Sequence, residues 1–288
     1  MATIREIRRR IRSVENTAKI TKAMELVAAS KMRRAQQRAL AGRPYAERIT
    51  WVLADLAETL PQMDPELVHP LLRRRDVQRT SIVLITPNRG LCGGLPTNMN
   101  RRATALVLDA GVPASMVAVG RKGRDFFRRS NVEIRADFTE LGDYPEYLDL
   151  LPVARVVIDD YLSGESDQTF LVYPFFVSTV TQEPRVQQLL PVEPPTEETT
   201  HAVDYIYEPG REAVLAELLP RYIEMQIYAA VLEGIASEQS ARMVAMRNAT
   251  EAADEMIEEL RLARNKARQE QITKELLDIV GGVAGLKT

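Results

Sequence analysis

The chain has 288 residues, of which 45% are hydrophobic and 27% are charged, as in an ordinary globular protein. A single cysteine, Cys92, and only two histidines exclude an internal disulfide and any cysteine- or histidine-rich metal site. No stretch approaches the length of about 18 apolar residues that a membrane-spanning helix needs. The formal net charge of -2 conceals an asymmetry, because residues 1–50 carry roughly +9 and the remainder is acidic. We therefore expect the N-terminal segment to meet an acidic surface.

The N-terminal segment predicts one long helix with a seam along one side. The seam positions follow one another at alternating spacings of three and four residues, and Glu25 is their one misfit. They are Ile4, Ile7, Ile11, Val14, Ala18, Thr21, Glu25, Ala28, Met32, Ala35 and Ala39. The pattern resumes after Pro44 and reaches Leu60, so a helix of this length would span roughly 80 Å at about 1.5 Å per residue. Such a helix is too long to be packed inside a compact domain.

The C-terminal segment from Arg211 to Leu286 predicts a second long helix. Its predicted seam also steps by three and four, through Ile227, Ala230, Gly234, Ser237, Ala241, Val244 and Asn248. Small side chains allow two helix axes to approach closely, but they bury little apolar area. We expect the two terminal helices to pair antiparallel and to depend on a globular base or an enclosing partner.

The middle of the chain alternates between strands and helices. Strands are predicted at residues 80–86, 115–119, 131–138 and 169–177, and helices at 97–108, 122–130 and 153–162. This alternation indicates a mostly parallel sheet with right-handed crossovers. The predicted fold is a long antiparallel coiled coil of the terminal helices with a Rossmann-like α/β domain inserted between them. The expected domains are residues 1–60, 75–205 and 210–286, and a mobile loop is expected around Pro191–Glu198.

A glycine-rich turn, Pro87–Gly94, follows the first strand and precedes a helix, where phosphate-binding loops often lie. It lacks both the closing Gly-Lys-Ser/Thr of a nucleotide-binding P-loop and the G-x-G-x-x-G dinucleotide spacing. We interpret it as a structural turn. Cys92 has neither His69 nor His201 near it in sequence to act as a base, which favours a packed, inert thiol. No cofactor, metal or catalytic residue is therefore predicted.

The basic face of the first helix admits three interpretations. Its residues are Arg5, Arg8, Arg9, Arg10, Arg12, Lys19, Lys22, Lys31, Arg33, Arg34 and Arg38. They could form a solvated helix face, follow the phosphates of a nucleic acid, or bind a protein with acidic loops. The aromatic residues that single-strand binders interleave with basic ones are missing from residues 1–44. The apolar end of the chain, Ile279–Leu286, predicts an enclosing hydrophobic collar.

Several motifs resemble the gamma subunit of F-type ATP synthases. They are Ile4–Ile7, Asn16–Met32, Arg89–Gly94, Ser237–Asn248 and Asn265–Thr273, and the likeness extends over nearly the whole chain. The one clear departure is Pro87-Asn88, where the family usually has Ser/Thr-Asp. The chain also lacks the cysteine pair with which some photosynthetic relatives switch by redox.

The resemblance implies a non-catalytic rotor that carries rotation of a c-ring, driven by protons or sodium ions, to catalytic sites on the beta subunits. The implied contacts with the hexamer of alpha and beta subunits are Lys19, Lys22, Met24, Lys31, Arg268, Gln269, Thr273, Ile279, Val280 and Leu286. Tyr207 and Glu208 are implied to touch the c-ring and the epsilon subunit. The expected location is the cytoplasmic face of a bacterial plasma membrane, with membrane contact only through the c-ring and no bound nucleic acid. The alternative is a coiled-coil nucleic-acid-binding protein that uses the basic helix.

Overall fold

The computed structural model of the chain describes residues 3–57, 69–193 and 207–285. The helices are α1 (Ile4–Ala57), α2 (Leu95–Ala110), α3 (Arg121–Phe127), α4 (Tyr147–Leu162) and α5 (Arg211–Gly285), with one 3-10 turn at Pro70–Leu72. The strands are β1 (Thr80–Ile85), β2 (Ala114–Val119), β3 (Glu133–Phe138), β4 (Gln168–Phe176) and β5 (Gln182–Leu190). The chain divides into two compact units, the first formed by Met1–Ala28 with Met243–Thr288 and the second by Ala29–Arg242.

A five-stranded sheet with the order β3-β2-β1-β4-β5 forms the centre of the second unit. The first four strands are parallel, and β5 returns antiparallel to β4. The predicted parallel α/β sheet is therefore confirmed, but β5 was missed. Its sequence is largely polar, and Pro184 is its third residue, which is tolerated because β5 is an edge strand.

Both faces of the sheet are covered by helices. Every residue of β1 is buried, as expected for a central parallel strand. Val83 and Ile85 pack in the cluster that contains α4 and parts of α1 and α5, whereas Ile82 and Leu84 pack against α2 and α3. The alternation of strand side chains thus divides one apolar run between two cores.

Gly120 allows the turn after β2 to approach β1 closely. Its φ is 112°, and a Cβ atom at this position would lie 1.9 Å from the carbonyl oxygen of Thr86. The Thr86 hydroxyl oxygen accepts a hydrogen bond from the Gly123 amide at 2.8 Å. This contact brings the start of α3 next to the carboxyl end of β1.

The first unit contains the antiparallel pairing of α1 with α5. On α1 the predicted seam is confirmed, since Ile7, Ile11, Ala18, Thr21, Glu25 and Ala28 are all buried. On α5 the buried positions are Met243, Met246, Ala253 and Ile257. The seam is therefore not made of small residues alone, because Ile7, Ile11 and Ile257 form an aliphatic cluster.

The predicted seam of α5 is correct only in its first part. Ile227, Ala230, Gly234 and Ser237 are buried, but Ala241 and Val244 are half-buried and Asn248 is exposed. In the second unit α5 is buried on several sides, so small residues there do not mark a single seam. Within the described ranges, no helix is long and apolar enough to cross a membrane.

Candidate functional site

Helix α5 occupies the crevice in which a sheet of this topology usually binds a ligand. That crevice lies outside the carboxyl ends of β1 and β4, where the strand order reverses. A Cβ atom on Gly234 of α5 would lie 3.0 Å from Ile85 Cγ2 and 3.6 Å from Pro174 Cδ. Ser237 Oγ donates a hydrogen bond of 2.9 Å to the carbonyl oxygen of Pro174. The chain's own helix therefore packs against β1 and β4 at this crevice.

The glycine-rich turn is hydrogen-bonded to α5. Arg242 Nη2 donates to the carbonyl oxygen of Gly90 at 3.2 Å and to Glu238 Oε1 at 2.7 Å. Burial raises the pKa of Glu238, and the neighbouring Arg242 opposes this shift. Gly93 has a φ of 60°, in agreement with the predicted structural turn, and Leu91 has a φ of 63° that its residue type did not indicate.

Cys92 is a packed thiol. The residue is 1% exposed, and its Sγ lies 3.6 Å from the carbonyl oxygen of Arg89. Burial is the largest cause that raises the pKa of the Cys92 thiol, and the negative charge of Glu238 adds to it. Both effects disfavour the thiolate, which supports the interpretation that Cys92 is inert. Among the described residues, no cluster of acidic, histidine or cysteine side chains could hold a metal ion.

The basic residues predicted on α1 fall into two environments. In the first unit, Lys19 is exposed and Met24 is half-buried, while Lys22 Nζ contacts Glu25 Oε2 at 3.0 Å. In the second unit, Lys31 Nζ lies 2.5 Å from Asp143 Oδ2. The guanidinium groups of Arg34 and Arg38 lie 5.8 and 5.3 Å from the centre of the Tyr144 ring. Part of the basic face is thus engaged within the chain.

Glu25, the misfit of the predicted seam, forms a polar layer inside the coiled coil. It is 6% exposed, and its two carboxylate oxygens accept from Lys22 of α1 and from Arg247 Nε of α5, the latter at 3.2 Å. The hydrogen bond from Lys22 is the largest cause that lowers the pKa of Glu25. One turn away, the hydroxyl oxygens of Thr21 and Thr250 are 2.7 Å apart. Arg247 and Thr250 were missed, although a carboxylate at a seam position signals that a partner must exist.

The last part of α5 is exposed on all sides. Every residue from Arg268 to Leu277 is exposed, which includes the predicted contacts Arg268, Gln269 and Thr273. The exposed residues include the large apolar side chains of Ile272, Leu276, Leu277 and Ile279, with exposed fractions from 45% to 66%. Val280 belongs to the helix, although its side chain is outside the described part, and Leu286 lies outside the described residues.

Tyr207 and Glu208 differ in their surroundings. Tyr207 is half-buried, and its hydroxyl donates to the carboxylate of Asp55 on α1. The Arg211 guanidinium lies 5.3 Å from the centre of the same ring. Glu208 is exposed. The structure thus anchors Tyr207 within the second unit and leaves the Glu208 carboxylate at the surface.

Comparisons with known proteins agree with this architecture. A protein-family model described as ATP synthase matches residues 3–286. The ATP synthase gamma chain of Dehalococcoides mccartyi strain CBDB1 is 59% identical over 286 residues, which cover 99% of this chain and 100% of the relative. The gamma chain of Chloroflexus aurantiacus strain J-10-fl is 49% identical over 290 residues and covers 99% of both chains.

Two solved structures are also similar. A chain from the central stalk and c-ring of the Tetrahymena thermophila mitochondrial ATP synthase gives a TM-score of 0.61 at 26% identity, with 80% of this chain and 99% of that chain covered. A chain from the Euglena gracilis mitochondrial ATP synthase gives 0.66 at 20% identity, with 98% and 94% covered. The second likeness concerns the fold alone. Together they match the mixed sheet with long terminal helices.

Proposed function

The chain belongs to the family of ATP synthase gamma chains, and we propose that it is the central-stalk rotor that carries c-ring rotation to the catalytic beta subunits. As a member of this family it is a non-catalytic subunit. The packing of Gly234 and Ser237 of α5 against β1 and β4 is consistent with that role. The comparisons do not support the alternative of a nucleic-acid-binding coiled coil.

The observation that carries the proposal is the exposed stretch of α5 beyond Ala267. A solitary helix with several large apolar side chains in water is unfavourable, and contiguous exposed apolar residues mark sites of protein contact. Ile272, Leu276 and Ile279 lie at positions i, i+4 and i+7, so they form one exposed apolar stripe along α5, and Leu277 lies about 100° further around the helix from Leu276. Because every residue from 268 to 277 is exposed, a ring of subunits around this stretch would contact the stripe, Leu277 and the polar residues between them, which supports the proposed rotor.

The proposed contacts with the alpha and beta subunits follow from this enclosure. The polar and apolar contacts proposed in the C-terminal segment are Arg268, Gln269, Thr273, Ile279, Val280 and Leu286. The contacts on α1 are Lys19, Lys22, Met24 and Lys31, which would face acidic loops of the beta subunits. Lys31 must exchange Asp143 for a partner carboxylate if it binds directly, whereas Lys19 is already exposed.

At the other end, Tyr207 and Glu208 are the proposed contacts with the c-ring and the epsilon subunit. In this proposal residues 1–60 and 210–286 supply the rotor coil, and residues 75–205 supply its α/β base. The protein would be peripheral at the cytoplasmic face of a bacterial plasma membrane and would touch the membrane only through the c-ring.

Co-expression of the full chain with its alpha and beta subunits tests the proposal. We expect one copy of the chain to purify with three copies of each subunit. Replacing Ile272, Leu276 and Leu277 together by Ser should reduce the recovered complex at least tenfold, because the enclosed apolar contacts are lost. The matched control is Leu108→Ser, which alters a side chain that is 75% exposed on α2 of the second unit. Equal recovery of the triple variant and the unaltered chain, or a chain that stays monomeric beside the hexamer, would refute the proposal.

A further inference from the structure

The register of the coiled coil in the first unit can be read from one hydrogen bond and the burial of its neighbours. The contact between Thr21 and Thr250 defines one rung, by which we mean a pair of residues that face each other across the two helices. From this pair we move along both helices in steps of three and four residues, with rising residue numbers on one helix and falling numbers on the other. Each pair found in this way consists of buried or half-buried residues. These further rungs are Ile11 with Leu260, Val14 with Ile257, Ala18 with Ala253, Glu25 with Met246, and Ala28 with Met243.

Most of these rungs would tolerate a shift of one helix along the other. They consist of Ala, Ile, Leu, Val and Met, whose contacts are apolar and carry no directional requirement. A displacement of α5 by seven residues keeps the same side of each helix on the seam. Within the first unit, apolar burial alone therefore discriminates poorly between the native pairing and a pairing displaced by one heptad.

The polar layer behaves differently under such a displacement. In the native pairing the Glu25 carboxylate accepts from Arg247 of α5, 222 positions away in sequence, as well as from Lys22 of its own helix. A displacement in one direction brings Asp254 to the place of Arg247 and sets Ile257 opposite Thr21. A displacement in the other direction brings Ser240 to that place and sets Met243 opposite Thr21. In one case two carboxylates meet, and in the other Glu25 loses its partner on α5.

We propose that Glu25 and Arg247 form a register lock that selects one pairing of α1 with α5. A buried carboxylate that loses a charged partner is strongly unfavourable, and a polar residue at one seam position is a known means of fixing helix register. Lys22 belongs to the same helix as Glu25 and moves with it, so it cannot distinguish the registers. The discriminating cation is Arg247. The lock determines which α5 side chains lie beside the basic residues of α1, and it does not depend on the proposed function.

Disulfide formation in the full chain reports the register directly. In a Cys92→Ala background, the pair Ala18→Cys with Ala253→Cys reports the native register. The pair Ala18→Cys with Leu260→Cys reports the register displaced by one heptad. With Glu25 and Arg247 present, we expect the native pair to oxidise at least tenfold more than the displaced pair. Glu25→Leu should reduce this ratio at least tenfold, because an apolar seam no longer distinguishes the two registers.

Moving the arginine by one heptad is the second and sharper test. In the double variant Arg247→Ala with Asp254→Arg, Glu25 finds its cation only in the displaced register, so the displaced pair should become the major product. This variant retains every buried seam side chain and is informative even if Glu25→Leu fails to fold.

The matched control is Glu15→Gln, which removes the carboxylate from another pair between the helices, Glu15 with Arg261 at 3.3 Å, where both side chains are more than one third exposed. It should leave the ratio unchanged. The lock is refuted if relocating the arginine leaves the native disulfide dominant, or if Glu15→Gln shifts the ratio as much as Glu25→Leu does.

Discussion

Removing the side chain of Arg242 should destabilise the second unit, by an amount that depends on pH. The ion pair between Arg242 and Glu238 is 2.7 Å long, and the two side chains are only 11% and 17% exposed. Removing one partner of a buried pair costs about 3 kcal/mol or more, because the other charge stays buried without compensation. The same substitution removes the hydrogen bond to Gly90, which contributes about 1 kcal/mol. We expect Arg242→Ala to lower the free energy of unfolding by about 4 kcal/mol at pH 8.

The dependence on pH follows from Glu238. Burial raises the pKa of this carboxyl in the folded chain, and Arg242 counteracts the shift. A raised folded-state pKa stabilises the fold below the unfolded pKa, and this stabilisation is lost as pH rises through the folded value. Without Arg242 the pKa rises further, so the buried carboxyl can take up a proton in mildly acidic solution. The destabilisation should therefore shrink to about 1 kcal/mol at pH 5, which is the lost hydrogen bond.

Urea unfolding at pH 5 and pH 8, followed by the fluorescence of Trp51, measures this difference, since the single tryptophan lies on α1 in the same unit. Adding Glu238→Gln to Arg242→Ala should restore most of the lost stability at pH 8, because no charge then remains buried. As a control, Arg74→Ala breaks an exposed ion pair with Glu193 and should change stability by less than about 0.5 kcal/mol. An equal loss at both pH values, or no rescue by Glu238→Gln, would contradict the reasoning.

Three further predictions concern close packing. Ala28→Phe should lower the stability of the coiled coil by about 1–3 kcal/mol in thermal unfolding followed by circular dichroism, because Ala28 is 1% exposed on the seam, whereas Ala252→Phe on the exposed side should have little effect. Gly120→Ala should prevent stable folding of the second unit, seen as a loss of soluble protein, because the added Cβ would overlap the Thr86 carbonyl; a soluble, stable variant would contradict the close approach. Cys92 should react with a disulfide reagent at least a hundredfold more slowly in the folded chain than in urea, and equal rates would show that the thiol is accessible.

The sequence predicted the elements whose signals are local. The heptad pattern of α1 identified the buried seam, including Glu25. It could do so because one side of this helix is buried in the first unit, so that residues suited to burial recur at every seam position. The strands β1, β2 and β4 were found because they are apolar runs bounded by turn residues, and β3 because its apolar and polar residues alternate. The edge strand β5 was missed because it is polar and carries Pro184. The seam of α5 was misplaced beyond Ser237. Around Ser237 the helix is buried on several sides, so its apolar residues do not recur with a single period.

Sequence by itself determined that the chain has two long terminal helices, a parallel sheet between them and a carboxylate at a seam position that needs a partner. These features depend on residues close together in the chain, and their periodicity can be recognised without knowing which residues lie near them in space. Only the tertiary structure decided that Arg247 is that partner, and that Gly234 and Ser237 of α5 fill the crevice beside β1 and β4. Both outcomes depend on the register and approach of segments more than sixty residues apart in the chain, which no local pattern encodes.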